Sequence, residues 1–251
     1  MQLVDNAVVR QAVAEFAAAP GQRRSLDVLR ACMWGELLFD ITGSDAFPGD
    51  QPFRQGSTLQ IRGGTGPDHR PALFAFTRQS EINRLHPPGT NVQSLVTPAI
   101  GALEQAQRHG DSWLYLDPAG PTCALSAAEI DFALRNPRNE PLKVALAALA
   151  AGRTQRGEVR ELLRADGPLL VGADESGPDG PVMRVIRHAD GSATLLGFTS
   201  APEVLAFTPS DAAASMNTAE VLEMIRQRGF RGLIIDPCGP SVSFAATELF
   251  D

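Results

Sequence analysis

The stretch LYLDPAGP at residues 114–121 returns as LIIDPCGP at residues 233–240. In each copy a short apolar run, typical of a buried strand, ends in Asp-Pro-x-Gly-Pro, which is typical of a turn. A second match lies upstream, where LFAFT at residues 73–77 returns as LLGFT at residues 195–199. Both pairs are separated by about 120 residues, and a repeat of that length indicates two tandem domains instead of a solenoid of short repeats.

Polar residues are repeated together with this apolar frame. A Glu follows each Thr of the upstream match at the same short distance, and another Glu follows each Asp of the downstream match. The shared polar pairs are Thr77/Thr199, Glu81/Glu203, Asp117/Asp236 and Glu129/Glu248. Ser200-x-x-Glu203 and Ser126-x-x-Glu129 also have the form of a capping box, which predicts helices that begin at these serines.

The patterns around the matches predict the same order of elements in both halves. This order is two helices, a buried strand, a hairpin, a short helix, an optional strand, a longer helix, two strands and a last helix. In the first half we expect the first arm of the hairpin at residues 59–62. Because hairpins and crossover helices are mixed, the fold class is predicted as α+β, a mixed sheet with helices packed against it. The polar segment at residues 136–141 would divide the chain into domains 1–136 and 137–251.

The composition narrows the class of protein. The 251 residues carry a formal net charge of -7 and show no basic face, which argues against nucleic acid and anionic membranes as partners. The amino-terminal residues lack a basic region followed by an apolar run, so no secretory signal is expected. Cys32, Cys123 and Cys238 are odd in number and lie at unmatched places in the two repeats, which favours a reducing cytoplasm. The four histidines have no metal-ligand spacing, and no motif calls for a metal or a cofactor.

The shared carboxylates admit a structural and a functional interpretation. An Asp before Pro at a strand end makes a turn by accepting backbone N–H groups, and a Glu in a first turn opposes the helix dipole. This interpretation leaves no duplicated catalytic set, so no catalytic residues are assigned. The alternative is a binding surface, because loops at strand ends are where sites gather. The candidate binding residues are Asp117, Gly120, Trp113, Asp236, Gly239, Thr77 and Thr199.

These motifs together resemble the family of SseB N-terminal domains, the bacterial proteins named for enhanced serine sensitivity. The family signature reads roughly Phe-Thr-Ser-x-x-Glu and later Asn-Pro-x-Gly. Residues 198–203 fit the first part, whereas Arg78 stands in place of the Ser in the first half, and both halves carry Asp where the family often has Asn. The resemblance covers most of both halves. It implies an α+β domain without established catalytic residues.

The leading hypothesis is therefore a non-enzymatic, cytoplasmic bacterial protein that binds another protein through two such domains, in an oligomeric state that the sequence leaves open. One alternative is an immunity protein that masks a basic toxin or another secretion-related protein with acidic loops, at residues 174–175 and Asp179. A second alternative is an enzyme that uses Asp117 or Asp236 in a cleft between the domains, with a raised carboxylate pKa.

Overall fold

The computed structural model describes residues 4–45, 58–110, 112–174 and 182–250. The chain divides into two compact units, Met1–Asp131 and Phe132–Asp251. Each unit contains its own mixed sheet with helices packed against it, which confirms the predicted α+β class.

Unit one begins with two amphipathic helices and continues through strands and helices in the predicted order. Its elements are α1 (Ala7–Ala18), α2 (Gln22–Ala31), β1 (Glu36–Asp40), β2 (Gly63–Thr65), β3 (Pro71–Phe76), α3 (Gln79–Asn83), β4 (Ser94–Pro98), α4 (Ala99–Arg108), β5 (Trp113–Leu116), β6 (Cys123–Leu125) and α5 (Ala127–Arg135), whose last residues lie beyond the division.

The sheet of unit one has the order β4-β1-β3-β5-β6, and β2 pairs with β3. β3 and β5 are parallel, with Leu73 opposite Leu114, whereas the other neighbours are antiparallel. The crossover between β3 and β5 contains α3, β4 and α4. This topology places the carboxyl ends of β3 and β5 side by side, and the two repeated motifs lie at these ends.

Unit two repeats this architecture. Its elements are α6 (Glu140–Ala150), α7 (Arg156–Arg164), β7 (Pro168–Asp174), β8 (Val182–Met183), β9 (Val185–Arg187), β10 (Ala193–Gly197), α8 (Ala201–Phe207), β11 (Ala212–Asn217), α9 (Thr218–Arg228), β12 (Gly232–Ile235), β13 (Val242–Ala245) and α10 (Ala246–Phe250). The strands form two ladders, β11-β7-β8 and β13-β12-β10-β9. Leu170 and Phe198 join them through two backbone hydrogen bonds of 2.8 Å, at the place where β1 meets β3 in unit one.

The cores form where the apolar faces of the helices meet the sheets. In unit two, α6, α7 and α9 contribute Leu142, Val159 and Val221, all buried, to a cluster with Leu195 and Leu233 of the parallel strand pair. Burial of such side chains stabilises a fold by roughly 1.5–3 kcal/mol each. The motifs at the strand ends are therefore held on a packed support.

One predicted element of unit one is displaced. The first arm of the hairpin is β2 at residues 63–65, and not residues 59–62. A Cβ on Gly63 would lie 2.3 Å from the carbonyl oxygen of Ala72, and one on Gly64 would lie 2.8 Å from the ring of Phe74. These glycines pair with β3 because the two strands lie too close together for side chains on β2. A search for apolar patterns in the sequence cannot reveal such a strand.

Candidate functional site

The repeated Thr and Asp of each unit are hydrogen-bonded to each other. In unit one, Asp117 accepts the backbone N–H of Thr77 at 2.9 Å and its hydroxyl at 2.7 Å. In unit two, Asp236 accepts the same two groups of Thr199 at 2.8 and 2.6 Å. Each Asp thereby ties the end of one parallel strand to the end of its neighbour. The Thr hydroxyls are used in these links and not in helix caps.

Both aspartates have a left-handed backbone. The φ angles are 51° at Asp117 and 48° at Asp236, a region that Asp and Asn tolerate better than other residues with a side chain. The N–H of Gly120 donates to the Asp117 carbonyl at 3.1 Å, and that of Gly239 to the Asp236 carbonyl at 3.0 Å. The turn therefore aims each carboxylate back at the preceding strand end.

Burial raises the pKa of both aspartates. For Asp117, the negative charge of Glu81 adds to the effect of burial, whereas the hydrogen bonds from Thr77 oppose it, and the pKa lies above the ordinary value of 3.8. For Asp236, burial also raises the pKa, although the neighbouring Lys143 works against the rise. Both carboxylates therefore need a nearby cation to remain charged at low energetic cost.

In unit two this cation is Lys143, on α6. Its Nζ donates to Asp236 Oδ2 at 2.8 Å and also to Glu203 Oε1. The three side chains are almost completely buried, and the lysine side chain is 4% exposed. Burial works to lower the pKa of Lys143, but the two carboxylates outweigh it and hold this pKa above 10.5. The site in unit two is therefore closed by a cation of the same unit.

The equivalent cation in unit one is Arg10, on α1. Asn6 and Asn139 cap the two helices in the same way, and each donates its N–H to the carbonyl of the repeated Thr at 2.9 Å. The N–H of Arg10 bonds the Asn6 carbonyl as that of Lys143 bonds the Asn139 carbonyl, both at 3.0 Å. The Arg10 guanidinium, however, bonds Asp5, and its side chain is 28% exposed. Unit one thus has no ammonium that seals its carboxylate pair within the described residues.

Glu81 of unit one instead binds two arginines of its own helix region. Arg78 donates to Glu81 Oε1 through Nε and Nη2 at 2.8 and 2.7 Å. Arg84 donates to Glu81 Oε2 at 2.5 Å. The glutamate is buried, whereas the Arg84 side chain is 49% exposed. The arginines consequently hold Glu81 and present their remaining surface to solvent.

These side chains surround an open pocket of about 450 Å³. One face of α1 forms a wall, and the Asp-Pro-x-Gly-Pro turn forms another. The lining residues are Ala7, Arg10, Gln11, Ala14, Arg78, Glu81, Arg84, Asp117 and Pro121. Of the predicted binding residues, the structure thus places Asp117 in the pocket lining, whereas its partner Thr77 and the turn residue Gly120 lie next to the pocket without lining it.

Trp113, also predicted at the binding surface, lies elsewhere in unit one. Its indole N–H donates to Asp68 at 2.7 Å, and its ring occupies the space beside Gly66, where a Cβ would lie 2.2 Å from the ring. The hairpin turn therefore packs on Trp113. Cys238, in the turn of unit two, is exposed, whereas Cys32 and Cys123 are buried.

The second pair of repeated glutamates accepts bonds at helix starts and also from distant residues, Ser25 for Glu129 and Arg156 for Glu248. Glu129 accepts the N–H and hydroxyl of Ser126 at 2.8 and 2.7 Å, so the capping box predicted there forms. Glu248 accepts the N–H of Ala245 at 2.8 Å and a bond from Arg156 at 2.9 Å.

At residues 200–203 the predicted helix forms without the predicted cap from Ser200. Although α8 does start there, the hydroxyl of Ser200 makes no cap and bonds no atom of the described residues. The carboxylate of Glu203 is held by Lys143, which the local pattern did not reveal.

The acidic loops proposed for toxin binding are only partly described. Asp174 pairs with Arg184 at 3.2 Å, whereas Glu175 and Asp179 lie outside the described residues. Within the parts of the chain that the structure describes, no group of three or more His, Cys, Asp or Glu is placed to hold a metal ion. No helix among the same residues is long and apolar enough to cross a membrane.

Sequence reasoning missed the basic partners of the carboxylates and the two capping asparagines. A signal was present, because Lys143 is the only lysine in a chain with many arginines. A compact ammonium with three rotatable donors can bond two separate carboxylates at once. Asn before an amphipathic helix is likewise a capping signal in both halves.

Comparison with known proteins agrees with this internal symmetry. The family model described as SseB protein N-terminal domain matches the chain twice, at residues 9–131 and 142–251. The search of curated proteins found no match, and the search of solved structures found none either. The two matched segments each include the complete Thr–Asp link of one unit.

Proposed function

Since the chain belongs to the SseB family, with two tandem copies of the SseB N-terminal domain, we propose that it is a non-enzymatic protein-binding module of the bacterial cytoplasm. Unit one carries the recognition site, and unit two is a structural copy whose equivalent site is closed. The observation that carries the proposal is the contrast between the buried Lys143 and the half-open pocket beside Arg10.

The contacts of the aspartates support a non-enzymatic role. A general acid or base must reach a substrate with its proton-carrying oxygen. Both oxygens of Asp117 and both of Asp236 already accept bonds from the repeated Thr. Their raised pKa follows from burial, and the hydrogen bonds that link the strand ends oppose it.

The shape of the pocket supports a protein partner. It is open on one side, and its walls alternate small apolar residues with long charged ones. Arginines at the rim of a concave surface are frequent anchors in protein interfaces. The exposed Cys238 and the two buried free thiols agree with a reducing compartment.

Affinity capture with matched variants tests this proposal. The full chain, immobilised, is expected to retain a saturable partner from bacterial extract, and Arg84→Gln should weaken retention. Arg108→Gln is the control, because Arg108 is 70% exposed on α4 and contacts only the surface residue Glu104 among described ion pairs. Equal retention by wild type and Arg84→Gln would count against the pocket as the recognition site.

A second candidate is an immunity protein that neutralises a basic toxin. The observation that favours it is the net charge of -7, since acidic proteins attract basic ones at long range. Co-expression with a toxin encoded nearby tests it. Growth that the full chain does not restore would remove this candidate.

A further inference from the structure

The pocket of unit one has more hydrogen-bond donors than acceptors. A guanidinium carries five N–H donors. Arg10 donates to Asp5, Arg78 donates twice to Glu81 and Arg84 donates once to Glu81. Most of the N–H groups of these three arginines therefore have no protein acceptor among the described residues.

The two carboxylates of the pocket already accept hydrogen bonds on all four of their oxygens. Both oxygens of Glu81 accept from arginines, and both oxygens of Asp117 accept from Thr77. A ligand that complements this pocket must therefore supply acceptors. Planar, bidentate acceptors match the fork of a guanidinium best.

The equivalent site of unit two allows the charges of the two sites to be compared. There, two carboxylates are compensated by the single ammonium of Lys143. In unit one the equivalent carboxylates, Glu81 and Asp117, are surrounded by three guanidinium groups. With Asp5, which pairs with Arg10, the unit-one site has three guanidinium groups against three carboxylates, so it is one charge more positive than the unit-two site and favours an anion over an added ammonium.

The turn lies directly beside Arg84. A Cβ at Gly120 would lie 2.9 Å from Arg84 Nη1, so a larger residue at this position would displace the end of the arginine side chain. From these observations we infer that the pocket of unit one binds a carboxylate, presented by an acidic segment of the partner protein. The inference rests on the proposed function and names the chemistry of its partner.

The overall charge of the chain predicts how this binding depends on salt. The net charge of -7 repels an acidic peptide over distances longer than the pocket. Salt screens both this repulsion and the exposed arginine contacts, within about 10 Å at 0.1 M. The two effects of salt oppose each other, so we expect weak binding with a shallow dependence on ionic strength.

Calorimetric titration of the full chain with a capped hexaglutamate peptide tests the inference. Wild type should bind saturably, and Arg84→Gln should weaken binding about tenfold, since one charge-assisted hydrogen bond contributes that much. The affinity of Arg84→Lys should lie between those of wild type and Arg84→Gln, because lysine keeps the positive charge but lacks the planar pair of N–H donors. Arg108→Gln should bind as wild type does. A circular dichroism spectrum of each variant checks that it is folded.

Two other ligands test whether the pocket prefers a carboxylate to a cation or to a phosphate. Capped hexalysine should not bind at the pocket, and inorganic phosphate should bind more weakly than the glutamate peptide. Arg84-dependent binding of hexalysine, tighter binding of phosphate, or equal affinity of wild type and Arg84→Gln for hexaglutamate would overturn the carboxylate assignment. If hexaglutamate does not bind while Arg84-dependent capture of a partner persists, the assignment fails and the proposed function stands. If Arg84-dependent capture is also lost, both fail.

Discussion

At the scale of single residues, the two units solve one electrostatic problem in opposite ways. Each has a buried Asp and a buried Glu that lie close together, at 2% and 3% exposure in unit one and 0% and 1% in unit two. Unit two neutralises them with the buried Lys143, whereas unit one uses arginines that reach the surface. The closed arrangement favours stability, and the open one leaves charge available to a ligand.

The buried lysine should be far more important for stability than its counterpart. We expect Lys143→Met to lower the free energy of unfolding by about 3–5 kcal/mol, because it leaves two buried carboxylates without a cation. Arg10→Met should change it by about 1 kcal/mol or less, as is typical of exposed pairs. Urea denaturation of both variants measures the difference. Similar losses for the two would show that Arg10 also compensates its carboxylates.

Asp117 should make stability depend on pH with a definite sign. Since its folded pKa is raised above 3.8, its contribution is fully present below 3.8 and is lost as the pH rises through the folded pKa. The unfolding free energy of wild type relative to Asp117→Asn should therefore fall as the pH rises from about 4 towards neutrality. Urea denaturation at a series of pH values measures this difference.

Asp68 provides a control of opposite sign. Slight burial acts to raise its pKa, but the Arg70 N–H and the Trp113 indole outweigh it and hold the pKa below 3.8. Its contribution is present above 3.8 and is lost as the pH falls. Asp68→Asn should thus reverse the trend seen with Asp117→Asn, and a common trend would contradict one of the two assignments.

At the scale of elements, two asparagines fix the helices that carry the cations. Asn139 accepts the N–H of Leu142 at 3.1 Å, and Asn6 accepts that of Val9 at 3.0 Å. Each cap residue also donates its own N–H to the carbonyl of the repeated Thr. The caps therefore set how α6 and α1 approach the strand ends.

Removal of one cap should be measurable. Asn139→Ala is expected to lower the free energy of unfolding by about 0.5–2 kcal/mol, because a first-turn N–H loses its acceptor. Asn139→Ser keeps an acceptor of the right length and should lose less. Thermal denaturation of the two variants compares them, and equal losses would mean that the side-chain amide contributes mainly through other contacts.

At the scale of the whole molecule, the two units contain separate cores and different spectroscopic probes. Trp34 and Trp113, the only tryptophans, both lie in unit one, whereas Lys143 lies in unit two. Circular dichroism reports helices and strands of both units. Fluorescence and circular dichroism can therefore follow unit one and the complete chain separately.

Lys143→Met should uncouple these two probes. The first part of the circular dichroism transition in urea should move to lower concentration, because unit two is weakened, while the tryptophan fluorescence midpoint stays near its wild-type value. A fluorescence midpoint that moves with the circular dichroism would mean that the chain unfolds as a single cooperative unit.

Much of this organisation could be predicted because it follows local periodicity and turn chemistry. The repeat around Asp117 and Asp236 located the strand ends, which the fold places beside a parallel neighbour, and the family match confirms two tandem domains. The contacts across the site could not be predicted, since Lys143 and Glu203 are far apart in the sequence and meet only through the fold. The strand β2 was not predicted either. Its glycines lie too close to β3 for side chains, so the sequence shows no apolar pattern there.

The left-handed backbone at Asp117 and Asp236 also limits which residues can replace the two aspartates during evolution. A substitute must tolerate a φ near 50° and still offer an oxygen to the preceding strand end. Glycine meets the first demand and lacks the oxygen, whereas Asn meets both and is a single base change from Asp. Lineages of this gene should therefore exchange Asp and Asn here without moving the backbone. Each exchange alters the local charge by one, so a neutral copy can become a charged one in a single step.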